Sequence, residues 1–255
     1  MRTGKSLLLG LMLSLSARAV LAEELQGPTV SAALSLKGAF EEIAALYQAK
    51  HPGERVQFNF AASGVLQRQI EGGAPVDLFA SASSREMDEL ERKGLLAIGK
   101  RMAFARNGIV LITPSIRRSA AEDFRDLQSV KVRRIAIGNP ATVPAGKYAE
   151  EVLRAFNVWE AVREKLVFAE NVRQVLDYAA RGEVDAGMVF FTDAMGVPGI
   201  QVVASAPQKS HTPAVYYASV VAGAKNSERG QAFIDVLLSP EGREVMKRRG
   251  FLSAP

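Results

Sequence analysis

Apolar and polar positions along the chain switch repeatedly between a period of two and a period near 3.6. Thr29–Leu34 is a short run of small and apolar residues that predicts a buried strand, and Phe40, Ile43 and Tyr47, with Ala39, Leu46 and Lys50, fall at helical spacing behind it. His51-Pro52-Gly53 stops that helix. Arg55–Phe60 alternates, with Val56, Phe58 and Phe60 on one face, and predicts a strand. Val65–Glu71 predicts a short helix closed by Gly72-Gly73, and Asp77–Ser81 another buried strand. Ser83 to Glu86 carries capping-box spacing at the head of a further helix.

The same rhythm continues through the second half. Ile109–Thr113, Arg134–Gly138, Leu166–Ala169, Ala186–Phe190, Gln201–Ala204 and Val215–Val221 predict strands. Between them Ala121–Leu127 predicts a helical turn or two, Pro144 opens a long helix, Asn171 caps a helix through Ala180, and Ser239-Pro240 caps a last one. Strands alternating with helices imply an α/β fold with mainly parallel sheets covered on both faces. About ten strands is large for one open sheet, so two smaller sheets are the more economical arrangement.

The N-terminus stands apart. Arg2 and Lys5 precede the apolar run Leu7–Leu15, and Val20-Leu21-Ala22 offers small residues ahead of Glu23-Glu24, with Ala17-Arg18-Ala19 as a second candidate cut. Residues 1–22 thus read as a secretory signal and the mature chain as exported to the periplasm. The run is shorter than the roughly 20 residues that span a bilayer; an uncleaved N-terminal anchor is the alternative. The formal charge of +5 shrinks accordingly. Three of the 32 basic residues lie in this segment, which holds no acid, leaving 29 bases against 27 acids and a net of +2. That balance gives no support to a nucleic-acid binder.

Candidate chemistry is thin. With no cysteine, disulfides, thiolate nucleophiles, iron–sulfur clusters and cysteine-ligated zinc are excluded. His51 and His211 both fall in turn-like polar stretches, so a Ser/His/Asp triad has no good base. No phosphate-binding loop, GxGxxG or GxSxG motif occurs. Glu41-Glu42 and Glu150-Glu151 read as solvated helix faces, and Asp185 and Asp193 as capping or pairing groups. No enzyme is expected, and no cofactor.

What remains is a set of strand-to-helix junctions: Ser35, Ser63 before Gly64, Val143-Pro144-Ala145-Gly146, and Asn171-Val172. In an open parallel sheet such junctions lie at the carboxyl ends of the strands, where ligands bind. Each offers unpaired N–H groups and the positive end of a helix dipole, so several aimed at one point would hold an anion without any lysine or arginine. Taken singly, Ser35 and Ser63 are also ordinary capping residues and Pro144 an ordinary helix start.

These segments resemble the periplasmic molybdate-binding proteins of molybdate ABC importers. The resemblance spans the mature chain in order, through SAALSLKGAF, NFAASGVLQRQIEGGAPVDLFASAS, IAIGNPATVPAGKYAEEVL, AENVRQVLDYAARGEVDAGMVF and the ending KRRGF. Arg68-Gln69-Ile70 with Gly73-Ala74-Pro75-x-Asp77-Leu78-Phe79, and Val143-Pro144-Ala145-Gly146, are its specific signatures. The resemblance implies a two-lobed type II periplasmic binding protein, with residues 27–104 plus 209–255 as lobe I and 105–208 as lobe II. It further implies hinge crossovers near Ala103–Asn107 and Ala206–Thr212, and a ligand cleft between the lobes.

By the same resemblance, the hydroxyls of Ser35 and Ser63 and the main-chain N–H groups of Ala145 and Val172 hold the tetrahedral oxyanion, molybdate or tungstate. A membrane permease would be the partner and the protein a monomer, with no metal beyond the molybdenum of the anion. Phe190 stands where the family carries a tyrosine whose hydroxyl completes the shell, so one donor is lost. Asn171 replaces an aspartate, and Ala62 and Gly64 replace hydroxyl residues. Thr192, Tyr148 or a water are candidates for the missing donor; a different oxyanion or a small carboxylate is the alternative ligand.

Overall fold

Two sheets form because the chain twice builds a parallel βαβ core and then closes it with strands running the other way. The computed structural model describes residues 25–116 and 119–254, so the export segment read in residues 1–22 lies outside the described residues. β1 (Leu25–Ala33) passes through a 3-10 turn at Leu34–Leu36 into α1 (Lys37–Lys50), which buries Ala39, Phe40, Ile43, Ala44 and Tyr47 against the sheet. β2 (Glu54–Ala61), α2 (Ser63–Glu71), β3 (Leu78–Ser81) and α3 (Ser84–Arg92) follow. β1 pairs in parallel with β2 on one side and β3 on the other. All four residues of β3 are buried, as its unbroken apolar run requires.

β4 (Met102–Asn107) ends this passage, and Gly108 alone separates it from β5 (Ile109–Pro114) of the second sheet. β6 (Ile135–Gly138), α4 (Pro144–Ala155), α5 (Trp159–Val162), β7 (Leu166–Ala169), α6 (Val172–Ala180), β8 (Ala186–Phe190), α7 (Phe191–Ala194) and β9 (Ile200–Ser205) complete that half. The chain returns with β10 (Ala214–Val220), α8 (Ser227–Leu238), α9 (Pro240–Arg248) and β11 (Leu252–Ser253). The sheet orders are β11-β4-β10-β3-β1-β2 and β7-β6-β8-β5-β9.

Both sheets are mixed, which corrects the expectation of mainly parallel ones. The first has two parallel pairs and three antiparallel ones, the second two of each. The physical reason is the passage between the sheets: strands entering and leaving a lobe pair antiparallel to the βαβ cores. The first crossover also shifts. A boundary at 104/105 would cut through β4, whose pairing with β10 and β11 carries it in the first sheet to Asn107. α8 and β4 have no counterpart in the periodicity reading.

Two local details bear on the site. Asp77, from the Ala-Pro-x-Asp signature, accepts from the N–H of Thr29 at 2.8 Å and that of Asn226 at 2.9 Å, so it ties the entry of β1 to the loop before α8. Gly146 sits where the first turn of α4 meets the end of β6; a Cβ there would lie 1.9 Å from the carbonyl oxygen of Gly138. Only glycine allows that approach, and the approach is what sets Ala145 beside the strand ends.

Candidate functional site

The carboxyl ends of the parallel strands of both sheets face one another. Between them lies a hollow of about 20 Å³ lined by residues of both halves of the chain, among them Ser35, Ser63, Ala145, Val172 and Phe190. The structure thus brings the five expected residues together. The hollow is far below the roughly 300–1,000 Å³ of ordinary small-molecule pockets and leaves room for a few atoms at most. No charged side chain is among its lining residues.

Neither serine works as a helix cap. α1 has Leu36 and α2 has Ala62 at the cap position, and neither helix receives a side-chain cap bond. Ser35 lies in the 3-10 turn before α1, with its hydroxyl 3.0 Å from that of Tyr216. Ser63 is the first residue of α2 and fully buried; its Oγ accepts from the N–H of Ala82 at 3.1 Å. The hydroxyl proton of Ser63 is therefore left for another acceptor. The ordinary capping explanation fails for both residues.

The two main-chain donors arise from helix starts. Pro144 at the first position of α4 has no N–H, so Ala145 carries the first donor of that helix. Val172 holds the same place in α6 behind its cap, Asn171, whose side chain accepts from the N–H of Gln174 at 3.0 Å. Asparagine therefore performs the capping expected of it, and its side-chain oxygen is engaged by the N–H of Gln174. Among the described residues, the N–H groups of Ala145 and Val172 meet no protein acceptor. With the starts of α2, α4 and α6 bordering it, the hollow has neutral walls and the donors and helix dipoles that an anion would need.

Phe190 is buried, its ring 6.1 Å from that of Tyr148 and 5.6 Å from that of Tyr216. It contributes an apolar wall and no donor. Neither Thr192 nor Tyr148 lines the hollow; the Thr192 hydroxyl instead accepts from Asn107 at 2.8 Å.

The lobes touch across the cleft. The N–H of Gly64 donates to the carbonyl of Thr142 at 3.0 Å. Arg85, held by the buried carboxylate of Glu86, donates to the carbonyls of Pro140 and Ala141, each at 3.1 Å. Arg85 carried no functional signal in the sequence, and Gly64 none for a contact between the lobes, because both act through main-chain carbonyls that no motif marks. Ser83 does not complete a capping box: its hydroxyl donates to Glu86 instead.

The other candidate groups lie elsewhere. His51 stacks on Tyr47 at 4.4 Å, and His211 is half-buried with its ring 5.7 Å from that of Tyr148. Asp185 accepts from the N–H groups of Arg133 and Arg134 at 2.7 and 3.0 Å, a pairing role as expected. Asp193, in the first turn of α7, has a backbone hydrogen bond with Phe190, while its Oδ2 is buried without a partner and burial pushes the carboxyl up to about 7.

The family model for bacterial extracellular solute-binding proteins matches residues 28–252. The molybdate-binding protein ModA of Escherichia coli is 37% identical over 227 residues, covering 88% of each chain. That of Haemophilus influenzae is 35% identical over 226 residues, covering 88% of this chain and 89% of its own. Among solved structures, the periplasmic molybdate-binding protein of Azotobacter vinelandii superposes with a TM-score of 0.78 over 89% of this chain and all of its own, at 24% identity. That last likeness concerns the fold.

Proposed function

Because the chain belongs to the bacterial extracellular solute-binding proteins, binding components of ABC importers and not enzymes, we propose that it takes up molybdate, and tungstate with it, between its two lobes and delivers the anion to a membrane permease. One observation carries this reading: Ser35, Ser63, Ala145 and Val172, from four separate strand-to-helix junctions, meet around a hollow whose lining has no charged side chain. Similarity to the molybdate-binding proteins above supports the same ligand.

A wall of donors selects for a fully deprotonated anion. Molybdate and tungstate are dianions at neutral pH and bring acceptors alone. Hydrogen phosphate brings a proton that would face another donor, and a buried unmatched pair is expensive. Sulfate has the right charge but shorter bonds, which leave some donors beyond good hydrogen-bond range. Size then separates sulfate from molybdate and leaves tungstate nearly equivalent.

Because Ser35 and Ser63 belong to one sheet and Ala145 and Val172 to the other, a bound anion bridges the lobes and favours the closed form. Opening pivots on Gly108 and on the return segment 206–213. The protein acts as a monomer outside the cytoplasm, exported by residues 1–22. A second reading, another oxyanion or a small carboxylate in the same hollow, is favoured by Phe190, which lacks the family hydroxyl.

Thermal unfolding of the mature protein with each anion separates these readings. At a hundredfold excess over Kd, molybdate and tungstate should each stabilise by about 2.7 kcal/mol, a rise of roughly 5–10 °C for a chain of this size. Sulfate and phosphate at the same concentration should leave the midpoint unmoved. Stabilisation by sulfate, phosphate or a carboxylate without molybdate would overturn the ligand assignment.

A further inference from the structure

Ser35 can serve an anion only if its proton, and not a lone pair, faces the hollow. For Ser63 the main chain ensures this, through the N–H of Ala82. For Ser35 the neighbour is a phenol, which can donate or accept, so the polarity depends on what else surrounds Tyr216.

Asn107 decides it. Its side-chain oxygen accepts from the N–H of Gly108 at 2.9 Å, which orients the amide: flipped, the NH2 group would face that N–H, donor to donor. The Nδ2 group therefore points the other way and spends its two hydrogens on the Thr192 hydroxyl at 2.8 Å and the Tyr216 hydroxyl at 3.2 Å. Asn107 thus supplies a bond that the Tyr216 oxygen accepts, which leaves the phenol proton available for the neighbouring oxygen of Ser35 at 3.0 Å.

The phenol keeps that proton. Tyr216 is fully buried among the rings of Phe104, Phe190 and Phe251, at centroid distances of 6.1, 5.6 and 5.4 Å. Burial holds its hydroxyl well above the ordinary value of 10.

We propose that Asn107 and Tyr216 are positioning residues for anion binding, a directed hydrogen-bond relay running from Gly108 through Asn107 and Tyr216 that turns the Ser35 proton into the cleft. Neither residue touches the hollow, since neither is among its lining residues. The relay starts at the crossover on which the lobes pivot and ends on the ligand's own donor. It rests on the molybdate reading above and adds to it a polarity that the ligand shell alone does not specify.

A double-mutant cycle tests this, with molybdate affinity measured calorimetrically on the mature protein. Tyr216→Phe keeps the ring and removes the relay's hydroxyl, freeing Ser35 to turn its lone pairs inward. It should weaken molybdate binding about tenfold. In a Ser35→Ala background the same change should move affinity by less than about twofold, because the group it acts through is gone. Equal losses in both backgrounds would show that Tyr216 acts through packing and overturn the relay, as would no loss in the wild-type background.

Asn107→Asp gives a second, independent variant should Tyr216→Phe fail to fold. A carboxylate there accepts the phenol proton, so Ser35 must donate to Tyr216 and present lone pairs to the anion. Binding should weaken in the wild-type background and change much less in the Ser35→Ala one, and loss of equal size in both would again overturn the relay. A wild-type protein with no molybdate affinity would instead overturn the ligand reading on which the relay stands.

Discussion

Replacing Ser35 and Ser63 together by alanine should lower molybdate affinity by a factor between about 10² and 10⁴. A hydrogen bond to a charged group contributes about 1.5–3 kcal/mol, so each hydroxyl accounts for roughly one to two decades. No charged side chain lines the hollow to take over. The two single changes should differ in their side effects. Ser63→Ala strips the buried N–H of Ala82 of its acceptor, which costs about 1–3 kcal/mol of unliganded stability. Ser35→Ala leaves a phenol that is still bonded by Asn107, so its unliganded stability should fall less. Calorimetric titration with molybdate, paired with denaturant unfolding of the free protein, reads both effects. Undiminished affinity in the double variant would remove the serines from the site.

The second large effect should come from a residue that never meets the ligand. Gly64→Val should weaken molybdate binding by about tenfold to a hundredfold or more, while the unliganded protein unfolds at nearly the wild-type midpoint. A Cβ at Gly64 would stand 2.8 Å from the carbonyl oxygen of Thr142 and 3.0 Å from its Cα, and that neighbour is main chain of the opposite lobe. Overpacking of this kind costs about 1–3 kcal/mol, and here the whole penalty falls on the closed form. Apparent affinity drops with the fraction of molecules able to close. Small-angle scattering with saturating molybdate should show a larger radius of gyration than for wild type. The lobes' own cores are untouched, so an equal loss of stability without ligand would place the strain elsewhere.

How much of this could be read from the chain depends on the kind of physics involved. The buried strands were legible because they are short apolar runs: all residues of β3, β5, β6 and β8 are buried. The junctions were legible too, as small or hydroxyl residues between a strand and a helix. Strand direction was not, because an apolar run reads the same whether its partner is parallel or antiparallel. β10 looks like any buried strand, yet it pairs antiparallel to both neighbours and carries the chain back to the first sheet.

α8 escaped because its first turns, Ser227 to Gly230, are polar and end on a glycine. That glycine packs so tightly on Asp77 that a Cβ would sit 3.0 Å from its carbonyl oxygen. The groups that polarise or latch the site were illegible for a related reason. Asn107, Tyr216 and Arg85 act on hydroxyls and carbonyls 30 or more positions away in the chain, so no local spacing marks them. Asp77 shows the converse: it belongs to a recognisable signature, and its work is structural.

Crystals of the mature protein grown with molybdate, measured at the molybdenum absorption edge, would locate the anion without reference to any side-chain assignment. A single anomalous peak is expected between the lobes, its oxygens within about 3 Å of the hydroxyls of Ser35 and Ser63 and the N–H groups of Ala145 and Val172, with the Phe190 ring as the remaining wall. A peak anywhere else on the molecule, or a bound anion that leaves those four donors without contact, would contradict it.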